Sequence, residues 1–331
     1  MLHHRGRLGG VRVGGPLAVL HYIAKRFIQA IVVLILVSFV VFGLLHVLPG
    51  GLVRAQLGPK ASSVAVAHLT KQEGLTRPFP VQYAVWFGHV LQGTLGYSYR
   101  QNSPVSTLLA EYFPRTLLLF GISLLLTIVV SIPLGLFQGA RRNRVEDYGI
   151  SGALLAVYST PGFLLGAILI VVLNIQFHIF PSTAQSFGQS LATDADVLVL
   201  PVLTLALGSI AYYSRFVRSS VVDSLLEYYV RTARAKGARR SRILLRHVLR
   251  NSLLPLVSVI GISLPTIVSG TLIVELLFAY PGMGLLYWNA QQMRTYPVML
   301  GIVLLLAVFV IVGNLLADLA YGVLDPRVRY D

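Results

Sequence analysis

The sequence contains no cysteine and carries little charge. Among its 331 residues, Lys, Arg, Asp and Glu together make up 12%, and only 12 residues are acidic. The absence of cysteine excludes disulfides, thiolate metal sites and cysteine nucleophiles. Soluble domains carry about 25% charged residues, so this composition argues against a soluble globular protein.

Catalytic motifs are also missing. The sequence has neither the GxxxxGK[ST] pattern of a phosphate-binding loop nor the HExxH pattern of a zinc protease. An intramembrane aspartyl protease needs two carboxylates that share a proton, but Glu275 and Asp318, which lie within apolar runs, are predicted near opposite faces of the membrane. We therefore predict a protein without catalytic residues, metal or cofactor of its own.

Long apolar runs are what the sequence does have. A helix of about 20 apolar residues crosses roughly 30 Å of hydrocarbon, and a helix satisfies its own backbone hydrogen bonds there. The runs predict an all-α integral membrane protein with six transmembrane helices. They cover residues 28–47, 117–137, 150–175, 197–213, 253–278 and 298–320.

The net charge of +15 follows the predicted topology. With a cytosolic N-terminus, the inside segments 1–27, 138–149, 214–252 and 321–331 hold 20 of the 27 Lys and Arg residues. This is the positive-inside pattern, so both termini are predicted in the cytosol and nucleic-acid binding is not needed to explain the basic excess. Residues 1–21 are predicted to be a basic tail before an uncleaved anchor, in preference to a signal peptide.

The predicted outside segment 48–116 is too long for a simple connector. It contains VQYAVWFGHVL, an amphipathic stretch that includes Trp86. Two interpretations remain open: a helix at the membrane interface, where Trp and Tyr concentrate, or a docking platform for an extracytoplasmic partner.

The segment 227–255, EYYVRTARAKGARRSRILLRHVLRNSLLP, has eight basic residues and one carboxylate. Ala233 and Gly237 are four residues apart, so they share a helix face and allow another backbone to approach. Gly237 can end that helix in the left-handed conformation, and a second, apolar and basic helix follows. We predict a cytosolic helix–turn–helix that enters a groove in a partner; a helix lying on anionic lipid is the alternative.

The remaining polar residues of the runs have several interpretations. Glu275 is predicted either to cap the backbone of the following AYPGMG or, with Pro281 and Gly282, to contribute to a gate or partner contact. Asp318 is predicted to pair with an inside arginine, Arg327 or Arg329. Asn174 and Asn314 are the most isolated polar groups and are candidates for a translocation path. Prolines are predicted to kink four runs, which suits either a gating bundle or close helix packing: Pro133, Pro161, Pro201 and Pro265.

Several blocks resemble the permeases of binding-protein-dependent ABC transporters in the dipeptide and oligopeptide branch. They are KRFIQAIVVLILVSFVVFGLLHVLPGG, RPFPVQYAVWFGHVLQGTLGYSYR, EYYVRTARAKG with RHVLRNSLLP, VELLFAYPGMG and NLLADLAYGVLDPRVR, in the family's order from about Tyr22 onward. Two departures stand out. Arg231, Thr232 and Ala233 replace the Glu-Ala-Ala of the general motif, as in the peptide branch, and Gly51 stands where the family usually has Asp.

The resemblance implies a type I ABC importer permease fold over residues 22–331. It implies that a coupling helix in the segment 214–252 meets an ATPase subunit through Glu227, Tyr229, Arg231, Ala233, Lys236 and Gly237. The implied partners are a second, homologous permease, two ABC ATPase subunits that bind ATP and Mg, and an extracytoplasmic binding protein. The implied function is alternating-access import of di- or oligopeptides across the bacterial cytoplasmic membrane; a nickel or other small-solute importer of the same branch is the alternative.

Overall fold

The computed structural model describes residues 16–46, 61–72, 74–183, 191–253 and 271–324, with isolated residues at 53, 57, 256 and 259–261. In chain order the elements of the first half are α1 (Pro16–His46), α2 (Ser63–Gln72), α3 (Phe79–Leu91), β1 (Tyr97–Ser98), β2 (Ser103–Pro104), α4 (Val105–Ala140), α5 (Val145–Ser159) and α6 (Gly162–Leu169, continued by the π-helix Ile170–Gln176). The second half contains α7 (Leu191–Leu226), α8 (Tyr228–Ala235), α9 (Arg240–Arg242, continued by the π-helix Ile243–Val248 and by Leu249–Ser252), α10 (residues 271–277), α11 (Met283–Gln292) and α12 (Tyr296–Leu324).

The helices α4 and α7 form the central pair of the described fold. Each has 36 residues, which corresponds to about 54 Å and exceeds the roughly 30 Å of hydrocarbon. They approach closely because α4 carries Gly135 and Gly139 at the contact. A Cβ atom on Gly135 would lie 2.6 Å from the Ser214 carbonyl oxygen of α7, and one on Gly139 would lie 2.6 Å from Val221 Cγ1.

Four described helices are long and apolar enough to cross a membrane: the apolar parts of α1, α4, α7 and α12. They contain the predicted runs 28–47, 117–137, 197–213 and 298–320 almost entirely. Half of the predicted run 253–278 lies outside the described residues, so the count of six spans stays a prediction. The helices extend further than predicted, since α7 begins at Leu191 within the predicted outside loop and ends at Leu226 within the predicted cytosolic segment.

The predicted run 150–175 is not one kinked helix. It forms α5 and α6, which meet at 105° and count as a fifth span only if the bent pair crosses as a unit. The break lies at Thr160, which has ψ 126°, because the ring of Pro161 disfavours helical geometry in the residue before it. By contrast, Pro133 and Pro201 lie inside α4 and α7 without ending them. Pro265 lies outside the described residues.

Two buried apolar clusters lie at opposite ends of the α4–α7 pair. The outer cluster, at the end predicted to face outside, joins the start of α4 to α11 and α12 and is formed by Val105, Leu108, Leu109, Met283, Leu286, Ala290, Val298 and Ile302. The inner cluster joins α7 to α8 and α9 and is formed by Tyr213, Val217, Val221, Val230, Ile243, Val248 and Leu256. The inner cluster thus includes Val230 of α8, and the outer cluster includes Met283 at the start of α11.

The predicted outside segment contains α2, α3 and a hairpin in which β1 pairs antiparallel with β2. The amphipathic stretch forms α3, and its aromatic side chains pack on α1. Trp86 stacks on Phe42 with ring centroids 5.1 Å apart, and the Tyr83 hydroxyl lies 2.7 Å from Ser38 Oγ. This aromatic face therefore holds α3 against α1.

Candidate functional site

The helix α8 begins and ends for local reasons. Glu227 stands at its N-cap with extended backbone, without a side-chain capping bond. At the other end Gly237 has φ +74°, its N–H donates to the Arg234 carbonyl at 2.9 Å, and the Ala238 N–H donates to the Ala233 carbonyl at 3.1 Å. This pair of bonds is the Schellman motif. The predicted helix-ending role of Gly237 is confirmed.

The two faces of α8 have different surroundings. Val230 is fully buried, and Tyr229 and Ala233 pack beside it on the inner cluster. The opposite face is exposed and consists of Tyr228, Arg231, Thr232 and Ala235, at the i, i+3, i+4, i+7 spacing of a single helix face. Tyr228 is 81% exposed, and the Arg231 guanidinium lies 5.5 Å from the centroid of its ring.

The six predicted coupling residues therefore divide between two environments. Glu227, Arg231, Lys236 and Gly237 are exposed, whereas Tyr229 and Ala233 are half-buried. The prediction that Ala233 and Gly237 present one small-residue surface to a partner needs correction, because Ala233 packs against the chain's own inner cluster. The small residue on the exposed face is Ala235.

The surface around α8 is strongly basic. All eight Lys and Arg residues of the segment 227–255 are exposed, with Glu227 as its only carboxylate. One of them also connects α9 to α4: the Arg240 guanidinium donates a hydrogen bond to the Ala140 carbonyl, at the end of α4, at 2.6 Å. A cation at a helix C-terminus is favourable because the carbonyl groups there carry partial negative charge.

A buried ion pair that sequence reasoning missed fixes the same end of the fold. Asp147, at the start of α5, is 1% exposed. It accepts two hydrogen bonds from Arg218 of α7, at 2.7 and 2.6 Å, and a third from the Asn143 N–H at 3.0 Å. Such bidentate, charge-assisted contacts are strong and directional. They hold the α4–α5 turn on α7.

A second group of interacting residues lies beside the outer cluster, around the fully buried Glu275. One carboxylate oxygen accepts a bond from the Thr116 hydroxyl of α4 at 2.7 Å, and the other accepts the Gly284 N–H at 2.5 Å. Thr116 in turn accepts the Met283 N–H at 2.8 Å. Glu275 and Thr116 thus satisfy N–H groups of the first turn of α11, which a helix leaves unpaired. Of the two interpretations of Glu275, the geometry matches the backbone cap.

The predicted neighbours Pro281 and Gly282 belong to this cap. Gly282 precedes α11, and its N–H donates to the Tyr280 carbonyl at 2.8 Å, across Pro281. A Cβ atom on Gly282 would lie 2.5 Å from Glu275 Oε2, and one on Gly284 would lie 2.6 Å from Leu272 Cα. Both glycines are required by the close approach of the α11 start to residues 271–277.

The remaining predicted site residues belong neither to α8 nor to the group around Glu275. The Asn174 amide donates to the Phe180 carbonyl at 2.7 Å and so closes the turn after α6. Asn314 lines a cleft between α1 and α12. The side chain of Asp318 and its predicted partners Arg327 and Arg329 lie outside the described residues. A role of the two asparagines in a translocation path stays a prediction.

Two family descriptions match the sequence. "Binding-protein-dependent transport system inner membrane component" matches residues 131–330, and the N-terminal membrane-component description of the same transport systems matches residues 19–120. Together they cover nearly all of the chain, including α8 and the residues around Glu275.

Curated relatives match at full length. The chain is 35% identical over 316 residues to the oligopeptide transport system permease protein AppB of Bacillus subtilis, covering 93% of this chain and 99% of that protein. It is 35% identical over 312 residues to the glutathione transport system permease protein GsiC of Salmonella typhimurium, covering 94% of this chain and 99% of that one.

Among solved structures, an inward-facing conformation of the MetNI methionine ABC transporter is similar in fold. The TM-score is 0.55 at 18% identity, over 66% of this chain and 96% of that chain. At this identity the likeness concerns the fold alone, and it agrees with an all-α membrane permease.

Proposed function

Because the chain belongs to the family of binding-protein-dependent transport system inner membrane components, we propose that it is one membrane subunit of an ATP-driven importer of peptides. The observation that carries the substrate class is full-length similarity to permeases named for oligopeptides and glutathione. The family's description already makes the chain a multi-pass permease that depends on a binding protein and not the catalytic subunit. In our proposal ATP and Mg bind to two partner ATPase subunits, and a second, homologous permease completes the pathway.

The exposed face of α8 is the proposed contact with an ATPase subunit. Its buried face packs with α7 and α9 on the inner cluster, so a displacement of α8 would carry the inner end of α7 with it. The close α4–α7 contact would pass that displacement along the central pair. We propose that this rigid connection couples ATP-driven closure of the ATPase subunits to alternating access of the transport pathway.

This coupling predicts a strong effect of bulk on the exposed face. Thr232→Trp should reduce ATP hydrolysis stimulated by peptide-loaded binding protein by about tenfold, the effect of losing about 1.4 kcal/mol of docking free energy. Thr232 is exposed, so membrane insertion and folding should be preserved. The measurement uses the assembled transporter reconstituted in vesicles.

The matched control is Arg239→Trp. Arg239 is also exposed but lies outside α8, at the N-cap of α9. It should retain most of the stimulation. Equal loss in both variants, or normal stimulation in Thr232→Trp, would contradict the docking assignment.

The proposed orientation has both termini in the cytosol and the hairpin β1–β2 outside. Because the chain has no cysteine, single-cysteine labelling gives an unambiguous readout. Arg100→Cys, at the exposed hairpin tip, should react with a membrane-impermeant maleimide added from outside, and Arg144→Cys, in the exposed α4–α5 turn, should react only after the membrane is opened. The reverse pattern would invert the proposed topology.

The peptide assignment is tested separately from coupling. Uptake of a radiolabelled peptide into vesicles with its loaded binding protein should require this chain, ATP and the partner subunits. Uptake of nickel but not of peptides by the same assembly would favour the small-solute alternative.

A further inference from the structure

The exposed faces of the long helices differ in polarity. In residues 117–137 of α4 and residues 298–316 of α12, every exposed residue is apolar, for example Val129 and Val312. In residues 197–226 of α7 the exposed residues are mostly polar: Tyr212, Arg215, Ser219, Asp223 and Leu226. Steps of three or four residues separate them, so they share one side of the helix. We call this side the polar face of α7.

Arg215 on this face has a different environment from Arg218, one turn further along α7. Arg218 donates two hydrogen bonds to the Asp147 carboxylate, whereas no described carboxylate forms a salt bridge with Arg215. The Arg215 guanidinium lies 5.7 Å from the centroid of the Tyr158 ring. That ring stacks on Tyr212, with centroids 6.2 Å apart and planes inclined by 20°. The two rings therefore position a cation whose charge the described residues do not neutralise.

The location of the polar face indicates contact with water and not with lipid. Ionisable side chains of membrane segments face the protein interior or a water-filled cavity, because hydrocarbon solvates a charge poorly. Arg215 lies against Tyr158, which belongs to the predicted run 150–175 and is close to the break between α5 and α6. The face continues through Ser219 to Asp223, toward the predicted cytosolic end of α7. Such a polar stripe on the central helix suits the wall of an aqueous passage that opens to the cytosol.

On the basis of the proposed function in peptide import, we propose that the polar face of α7 lines the inner end of the pathway and binds a peptide by its two charged ends. The C-terminal carboxylate contacts Arg215, because a guanidinium group can bind a carboxylate with two parallel hydrogen bonds. The N-terminal ammonium contacts Asp223, which is exposed and has no ion-pair partner among the described residues.

The spacing of the two charges selects a short peptide. Positions 215 and 223 are eight residues apart, which corresponds to about 12 Å along a helix. An extended peptide spans about 3.3–3.6 Å per residue, so a peptide of about three or four residues reaches both groups. Both side chains are exposed to water, which keeps the binding weak and permits release into the cytosol.

The test measures contact between a peptide and α7 in the assembled transporter. The full chain with its partner subunits is placed in nanodiscs without ATP, and a tetrapeptide carrying p-benzoyl-phenylalanine is added at millimolar concentration. Nanodiscs leave both membrane faces open, so the binding protein and its own selectivity are not involved. Cross-links mapped by mass spectrometry should fall on residues 212–223. The C-terminal amide of the same peptide should cross-link about fivefold less, which corresponds to about 1 kcal/mol for a solvated charge pair.

Variants then assign each peptide end to its residue. Arg215→Gln should lower the yield of the free-acid peptide to that of the amide, and Arg215→Lys, which keeps the charge but not the planar fork, should retain part of the difference. The matched control Arg242→Gln removes an exposed arginine of α9 and should preserve the full difference. Asp223→Asn should abolish the preference for a free over an acetylated N-terminus. Equal yields of acid and amide in the unmodified chain, or equal effects of Arg215→Gln and Arg242→Gln, would overturn the proposal.

Two further measurements separate this site from the proposed function and from a lipid-facing surface. Absence of ATP-dependent uptake of the peptide with its binding protein would refute the importer and the site together, whereas uptake without cross-links on α7 would refute the site alone. Tyr212→Cys should react with a charged, water-soluble maleimide in the nanodisc, and Val129→Cys, on the apolar face of α4, should not. Reaction of Tyr212→Cys only with a lipid-soluble maleimide would mean that the polar face borders lipid and would overturn the assignment.

Discussion

Replacing Gly135 with alanine should sharply lower the stability of the folded protein. The added Cβ atom would lie 2.6 Å from the Ser214 carbonyl oxygen and 2.6 Å from Val217 Cβ. Both atoms are fixed to the backbone of α7, so α4 and α7 would have to separate. Overpacking typically costs about 1–3 kcal/mol, and a clash that no side chain can relieve belongs at the upper end. The measurement is the thermal unfolding midpoint of the purified protein in detergent.

Gly121→Ala provides the matched control for this experiment. Gly121 lies in the same helix, and a Cβ atom there would meet nothing within 4 Å. The same substitution should therefore be neutral or slightly stabilising, since alanine is the better helix former. If Gly135→Ala and Gly121→Ala unfold at the same temperature, the close α4–α7 contact is not present in the membrane protein.

Gly139 allows the same contact to be tested by rescue. A Cβ atom at Gly139 would meet Val221 Cγ1 at 2.6 Å and Cβ at 2.8 Å, with the Arg218 carbonyl oxygen further away at 3.2 Å. Most of this clash comes from one side chain, so Val221→Gly should restore part of the stability lost in Gly139→Ala. No comparable change can rescue Gly135→Ala fully, because the Ser214 carbonyl remains.

Features set by neighbouring residues could be predicted from the sequence. Gly237 ends α8 because the motif requires a left-handed residue between a short helix and the next turn, and glycine adopts that conformation without steric cost. The apolar runs predict the positions of α1, α4, α7 and α12, because the length and hydropathy of a run are also local properties of the sequence. The cap of α11 by Glu275 is one of the two interpretations that the sequence offers, and Glu275 lies only nine residues from Gly284, whose N–H it accepts.

Contacts between distant parts of the chain could not be predicted. Thr116 is 159 residues from Glu275, and Arg218 is 71 residues from Asp147; each has many equally plausible partners in the sequence alone. The packing of Ala233 on the inner cluster could not be predicted either. Helical periodicity shows which residues share a face, but it does not show which face the rest of the fold covers. Gly135 and Gly139 have the spacing of a small-residue helix contact, yet the spacing does not identify α7 as the partner.

The break at Pro161 shows a further limit of local reasoning. The sequence predicts that Pro161 kinks the run 150–175, whereas the chain turns by 105° there. Pro133 and Pro201, which are the same residue type in equally apolar surroundings, leave their helices unbroken. Both of these helices belong to the closely packed central pair, so neighbouring contacts can offset the hydrogen bond that proline removes. The outcome at a proline thus depends on packing that the sequence does not show.

Removing the Glu275 carboxylate should detach the start of α11 from α4. In Glu275→Ala the buried Gly284 N–H loses its acceptor, and the Thr116 hydroxyl loses the group to which it donates. Leaving such groups unsatisfied costs about 1–3 kcal/mol each, so for the two groups we expect a loss of about 2–6 kcal/mol. Hydrogen–deuterium exchange should increase in α11 while the inner cluster stays protected. The control Glu111→Ala removes an exposed carboxylate paired with Arg115 and should change stability by less than about 1 kcal/mol.

A double-mutant cycle then identifies the carboxylate as the group against which Gly282 packs. Gly282→Ala alone should be destabilising, because its Cβ atom would lie 2.5 Å from Glu275 Oε2. Combined with Glu275→Ala, this clash disappears, so the double variant should lose less stability than the sum of the single changes, by about 0.5–3 kcal/mol. Gly284→Ala should show a smaller rescue, since its Cβ atom would still lie 2.6 Å from Leu272 Cα. Strict additivity at Gly282 would mean that Glu275 does not occupy the capping position, and equal rescue at both glycines would mean that the start of α11 is not held against Leu272.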